Sequence, residues 1–150
     1  MAERWDEVDD DRLIHQLYQT MRVFSKTRNQ AISAYGIYGS EWMTMNLVQH
    51  RGSCSQAELI EYFGVEPAAI SKELSKMETK GIITREFRAG CRGKFIKLTD
   101  KGQQVCEQIS GIVAEHRQHA LTVLSVSERR QMEKMMRKLC QNLLAGNGES

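Results

Sequence analysis

Apolar residues along most of this chain recur at steps of three and four, the spacing that places them on one face of an α-helix. The longest such run begins near Arg12 and stops before Gly36, which predicts one long amphipathic helix. The same spacing predicts five further helices, over about 41–51, 55–63, 67–80, and after Thr99 and Ser125. The pattern therefore favours a mainly α-helical chain.

Several of these helices begin at residues that typically cap a helix. Ser55 with Glu58 and Ser125 with Glu128 match the capping box, in which a serine hydroxyl and a glutamate carboxylate bond backbone N–H groups of the first turn. Pro67 fits the first position of the fourth helix. We expect Ser40 to be the N-cap of the second helix.

A β-hairpin is predicted between the fourth and fifth helices, with strands over 82–88 and 94–98 around a loop containing Gly90 and Gly93. Two short helices joined by the tight turn GVEP, followed by a hairpin, are typical of the winged helix-turn-helix. The predicted fold is thus mainly α with a small β-hairpin wing.

The charge is concentrated on that hairpin. The 150 residues carry a net charge of only +2, but the stretch 85–102 holds six bases and two acids. The bases are Arg85, Arg88, Arg92, Lys94, Lys97 and Lys101. A flexible cationic tip suits the narrow, negative minor groove of DNA, so double-stranded DNA is the predicted partner.

The fourth helix would lie in the adjacent major groove, because its face opposite the apolar positions carries small residues and two lysines. The predicted DNA-contacting residues of the two short helices are Ser55, Gln56, Pro67, Ala68, Ala69, Ser71, Lys72, Ser75 and Lys76. Those of the hairpin are Arg85, Arg88, Arg92 and Lys94. The alternative to phosphate contact is that Lys72 and Lys76 are solubilising residues on an exposed helix face.

These features resemble the MarR family of bacterial transcription regulators, over nearly the whole chain. The landmarks are SQAELIEYFGVEPAAISKELSKMETKGIITRE at 55–86, LTDKG at 98–102 and SERRQMEKMMRKL at 127–139. The resemblance implies a homodimer that reads a pseudo-palindromic operator and represses until a small ligand or oxidation releases it. It also implies one domain over 1–150, with a winged helix-turn-helix at about 38–100 and dimerisation helices at about 10–36 and 100–145.

The wing departs from the family pattern at one position. Family members usually carry Asp-x-Arg near the wing tip, where the aspartate orients the arginine. Here Arg92 matches the arginine, but Gly90 stands at the aspartate position, so Glu86 is a candidate replacement.

Three groups of residues are candidates for sensing. Tyr35, Tyr38 and Trp42 cluster where family members often bind aromatic ligands, and aromatic core packing is the alternative. Cys91 lies among arginines that favour its thiolate, so it is a candidate redox residue or an incidental thiol. His116 and His119 have a spacing that can hold a metal, although only His116 falls on the apolar stripe.

No catalytic motif or cofactor-binding loop is present in the sequence, so an enzyme is not predicted. The four cysteines are widely spaced, and Cys106 and Cys140 are expected in the core. The acidic N-terminus lacks the profile of a secretion signal, which favours a cytoplasmic protein without a membrane partner. The alternative function is a winged-helix protein-interaction module that has lost DNA binding.

Overall fold

A computed structural model of the chain describes residues 7–90 and 93–146. The helices are α1 Glu7–Ile32, α2 Gly39–Arg51, α3 Gln56–Phe63, α4 Pro67–Thr79, α5 Asp100–Leu121 and α6 Val126–Gly146. The strands are β1 Cys54–Ser55, β2 Ile83–Phe87 and β3 Lys94–Leu98, and a 3-10 turn at Ser33–Tyr35 follows α1. The predicted fold class, mainly α with a β-hairpin wing, is confirmed.

The helix boundaries follow local chemistry in most places. Both predicted capping boxes form: the hydroxyls of Ser55 and Ser125 each accept a hydrogen bond from the backbone N–H of a glutamate three residues later, and the glutamate carboxylate accepts one from the serine backbone N–H. Pro67 opens α4 as predicted. The N-cap prediction for Ser40 is wrong, because α2 begins at Gly39, two residues before the predicted start, and Tyr38 occupies the N-cap in an extended conformation.

The sheet has three antiparallel strands in the order β1-β3-β2. In the hairpin Ile83 pairs with Leu98 and Phe87 pairs with Lys94. The two-residue strand β1, absent from the sequence prediction, pairs Cys54 with Ile96. The sheet therefore connects the wing to the residues that immediately precede α3.

One hydrophobic core lies behind α4. Its completely or almost completely buried side chains come from the end of α1 and the segment that follows it, from α2, α3, α4, the sheet and the first half of α5, and include Ile32, Met45, Leu59, Leu74, Met77, Ile83, Ile96, Cys106 and Ile109. Because α3, α4 and the hairpin pack on the same core, their relative positions are fixed. A binding surface built from several elements requires such a rigid base.

The chain divides into two compact units, Met1–Ala114 and Glu115–Ser150. The first contains the core and the winged helix-turn-helix. In the second, the Arg129 guanidinium donates hydrogen bonds to the carbonyls of Leu121 and Leu124 and so ties the end of α5 to the start of α6.

Apolar side chains remain exposed on the first and last helices of the single chain. On α1 they include Leu13, Ile14, Leu17, Tyr18 and Met21, and on α6 they include Met132, Met135, Met136, Leu139 and Leu143. Cys140 is likewise exposed, so its predicted place in the core is wrong for the single chain, whereas Cys106 is buried as expected. No helix in the described ranges is both long enough and apolar enough to cross a bilayer.

Candidate nucleic-acid interface

Helix α4 presents two chemically different faces. Ile70, Leu74 and Met77, spaced by four and three, are buried against the core. On the other side Ala68, Ala69, Lys72, Ser75 and Lys76 are exposed and Ser71 is half-buried. Small side chains and exposed lysine ammonium groups on one side of a helix allow that side to approach a polyanion closely.

Helix α3, which precedes α4, has well-defined ends. Ser55 caps α3 through its hydroxyl, which accepts a hydrogen bond from the Glu58 backbone N–H at 3.1 Å. Gln56, the first residue of α3, is half-buried. Helix α3 ends at Gly64 in the left-handed conformation, φ 60°, which a glycine adopts without strain.

The wing carries cations supported by aromatic rings. The Arg88 guanidinium lies 4.2 Å from the Phe95 ring centroid and donates a 3.0 Å hydrogen bond to the Ser53 hydroxyl. Lys94 Nζ lies 5.2 Å from the centroid of the Phe87 ring, which is 78% exposed. These contacts limit the motion of Arg88 and Lys94 while leaving the wing surface positive.

The wing tip itself falls partly outside the described residues. Gly90 and Gly93 bracket the tip with positive φ values of 80° and 85°. Cys91 and Arg92, predicted as redox and DNA-contacting residues, lie outside the described ranges. Glu86, the candidate partner for Arg92, stands 3.7 Å from Lys97 in an exposed ion pair.

Arg85 differs from the other predicted contacts because its side chain is only 12% exposed. Its Nε and one terminal nitrogen donate to the two carboxylate oxygens of Glu78, at 3.2 and 2.9 Å, and the same terminal nitrogen lies 3.0 Å from Ser75 Oγ. The hydrogen bond from Arg85 lowers the pKa of Glu78, and the same bond raises the pKa of Arg85. Sequence periodicity gave no sign of this pair, because its members belong to different elements.

The predicted aromatic cluster is divided between the core and a surface cavity. Trp42 is 6% exposed and belongs to the core, whereas Tyr35 and Tyr38 are exposed. Tyr38 lines a cavity of about 570 Å³ together with Lys26, Asn29, Gln30, Ser33, Gly36 and Ile37. Lys80 Nζ lies 4.9 Å from the Tyr38 ring centroid and forms 2.8 Å contacts with both oxygens of the buried Glu41 carboxylate.

The buried cysteines and the His116–His119 pair offer little reactive chemistry. Burial raises the pKa of the Cys54 and Cys106 thiols to about 11, so both are protonated at neutral pH. Cys106 also donates a hydrogen bond to Gln49 Oε1 at 2.8 Å. His116 is half-buried and His119 is exposed, and no group of three potential metal ligands occurs within 7–90 and 93–146.

The chain is similar in sequence to known transcription regulators. Residues 35–91 match the model of the MarR family. A curated relative, the HTH-type transcriptional regulator YwoH of Bacillus subtilis (strain 168), is 28% identical over 98 residues, which are 65% of this chain and 72% of YwoH.

Two solved structures share the fold over most of the chain. A mutant of MarR from E. coli, complexed with operator DNA, has a TM-score of 0.77 at 23% identity and covers 90% of this chain and 99% of its own. The organohalide-sensing regulator RdhR, in its ligand-free form, has a TM-score of 0.83 at 16% identity and covers 99% of this chain and 92% of its own. A second RdhR structure contains bound 2,4-dichlorophenol.

Proposed function

We propose that this chain, whose residues 35–91 match the MarR family model, is a dimeric, sequence-specific DNA-binding transcription regulator. The main observation behind the proposal is that the exposed face of α4 and the cationic wing lie side by side on one core. The exposed small-residue and lysine face of α4 stands beside a wing that carries Arg88 and Lys94. In this arrangement α4 enters a major groove while the wing follows the adjacent minor groove.

The contacts fall into two classes. Lys72, Lys76, Arg88 and Lys94 supply positive charge to phosphates, which gives affinity without sequence information. Ala68, Ala69 and Ser71 allow approach of α4 to base edges and thymine methyl groups. Arg92 remains a predicted contact of the wing tip, and its substitution by alanine is expected to weaken operator binding by about 1–3 kcal/mol.

Dimerisation is supported by the apolar side chains that α1 and α6 leave exposed in the single chain. Exposed apolar surface on this scale marks an interaction face in water-soluble proteins. Two copies would then offer two α4 helices to two half-sites related by two-fold symmetry.

Control by a small ligand is favoured over control by oxidation. The cavity beside Tyr38 is large enough for an aromatic molecule and lies next to Lys80, which follows α4. A relative of the same fold, RdhR, binds 2,4-dichlorophenol. The buried thiols Cys54 and Cys106 are poor targets for an oxidant, so oxidation depends on Cys91 and Cys140.

Peroxide treatment separates these two forms of control. We expect DNA binding to persist in peroxide and to be unchanged in Cys91→Ser. Loss of binding that a thiol reductant reverses, and that Cys91→Ser prevents, would favour the redox switch.

The salt dependence of binding to a random-sequence duplex tests DNA binding itself. Each neutralised phosphate contributes about 0.9 to the slope of log affinity against log salt, so about eight contacts per dimer, four from each subunit, predict a steep fall between low and physiological salt. No measurable binding at low salt would instead support the protein-interaction module.

A further inference from the structure

The ion pair between Arg85 and Glu78 joins the wing to α4. Arg85 lies on β2 and Glu78 in the last turn of α4, and the two side chains meet through two parallel hydrogen bonds. Such paired bonds fix the direction of a planar guanidinium as well as its distance. The pair therefore resists both separation and rotation of β2 relative to α4.

A third contact extends this link along the helix face proposed to meet DNA. The Ser75 hydroxyl accepts a hydrogen bond from Arg85 and donates one to the Ser71 carbonyl, at 3.0 and 2.9 Å. Arg85 thus spans nearly one turn of α4, from Ser75 to Glu78. Its side chain is largely covered, unlike those of Lys72 and Lys76 on the same helix.

We infer that Arg85 and Glu78 are positioning residues that hold the wing and the recognition helix in one fixed relative orientation. This inference rests on the proposed function and assigns to Arg85 a role other than phosphate contact. When two contact surfaces must dock together, fixing them beforehand lowers the ordering cost of binding. The gain applies to the cognate site, where both surfaces must fit at once. It does not apply to non-specific DNA, where phosphates can be met in many arrangements.

The test compares affinity for two duplexes of equal length, one enriched from a random pool by the wild-type dimer and one scrambled. Measurements are made well below the unfolding temperature of each variant. Glu78→Gln and Arg85→Lys are each expected to lower the ratio of the two affinities roughly tenfold, and to leave affinity for the scrambled duplex within about twofold. Lysine retains the charge of Arg85 but not its planar fork. In the double variant the ratio of the two affinities should fall no further than in either single variant.

Glu133→Gln is the matched control. Glu133 also pairs with an arginine, Arg137, at 2.6 Å, but both partners lie on α6 and are 66% exposed. Its replacement is expected to leave the ratio unchanged.

Two results would overturn the inference while DNA binding stands. If Arg85→Lys binds like the wild type while Arg85→Met loses affinity for both duplexes and has a shallower salt slope, Arg85 contacts phosphate. If Glu78→Gln lowers only the unfolding temperature, the pair has a purely structural role. Failure of the wild type to enrich any sequence would be visible before a variant is made, and would overturn the proposed function together with the inference.

Discussion

At the scale of single residues, Gly102 shows why the LTDKG segment ends in glycine. Gly102 is buried in the first turn of α5, and a Cβ at this position would collide with the backbone carbonyl of Ile82. The carbonyl cannot move freely, because it accepts a hydrogen bond from the Thr99 backbone N–H at 2.9 Å. The absence of a side chain lets α5 pack directly on the start of the wing.

Gly102→Ala is therefore expected to reduce the free energy of unfolding by about 1–3 kcal/mol, through the backbone shift it forces. Gly111→Ala on the same helix is the matched control, because nothing lies within 4 Å of a Cβ at that position. Alanine there should stabilise the protein by up to about 1 kcal/mol. Urea denaturation measures both changes, and a shift of the same sign and size in the two variants would refute the collision.

The glutamates of the two capping boxes make stability depend on pH. In Glu58 and Glu128 the hydrogen bond from the serine backbone N–H is the largest cause that lowers the carboxyl pKa below its ordinary value of 4.5. A carboxyl with a lower pKa in the folded state stabilises that state above its unfolded pKa. The contribution is lost as the pH falls through the folded pKa.

We expect the midpoint of urea unfolding to fall as the pH is lowered from about 5 towards 3, and this fall to be smaller in Glu58→Gln. Glutamine can still accept the capping hydrogen bond but does not titrate. Lys72→Ala, which leaves both boxes intact, should retain the full acid sensitivity. An identical pH dependence in Glu58→Gln and the wild type would show that the box contributes nothing to it.

At the scale of elements, α4 is expected to contribute affinity through its two lysines. Lys72→Ala and Lys76→Ala should each lower the magnitude of the log–log salt slope by about one to two, because one phosphate contact is lost per subunit. Binding should weaken by a similar factor for all sequences. Lys138→Ala on α6 is the control, and an effect equal to that of Lys72→Ala would assign the salt dependence to net charge rather than to α4.

Changes to the small residues of α4 should instead alter sequence preference. Ala68→Leu places a larger side chain on the exposed first turn of the helix, where close approach to bases is proposed. We expect the enriched base profile to change while binding to random DNA is retained. An unaltered base profile in this variant would show that α4 does not lie in the major groove.

The elements that sequence predicted well are those defined by neighbouring residues. The capping boxes at Ser55 and Ser125 and the proline at the start of α4 depend on chemistry within one helical turn, so they could be predicted locally. The N-cap of α2 could not, because Tyr38 forms no side-chain cap and Ser40 lies inside the helix.

The candidate site was predictable as a surface but not in its internal contacts. The alternation of buried and exposed residues in α4 located its exposed face correctly. The Arg85–Glu78 pair joins a strand to a helix, and β1 consists of two residues paired with a strand forty positions later. Such contacts depend on the tertiary arrangement, which local periodicity does not encode.

At the scale of the whole molecule, the exposed apolar positions of α1 and α6 predict a second copy of the chain. The native mass in solution is expected to be twice the 17.2 kDa of one chain. Leu139→Glu should shift the mass towards the monomer, because it places a charge on an apolar stripe that is 47% exposed in the single chain. Tyr62→Glu on α3 is the control, and a monomeric wild type at micromolar concentration would exclude the dimer.

Dimer burial would also account for Cys140, which sequence placed in a core and the single chain leaves exposed. Its neighbour Leu139 belongs to the same exposed surface of α6. A thiol-reactive probe should therefore label Cys140 faster in Leu139→Glu than in the wild type. Equal labelling rates would place Cys140 outside the interface.

Selection of bound duplexes from a random pool at near-physiological salt shows directly whether two copies of α4 and the wing read a DNA sequence. We expect enrichment of a palindrome whose two half-sites are about one helical turn apart. Failure to enrich any sequence, with the protein folded and dimeric, would contradict sequence-specific DNA binding and would leave the protein-interaction module as the function of this fold.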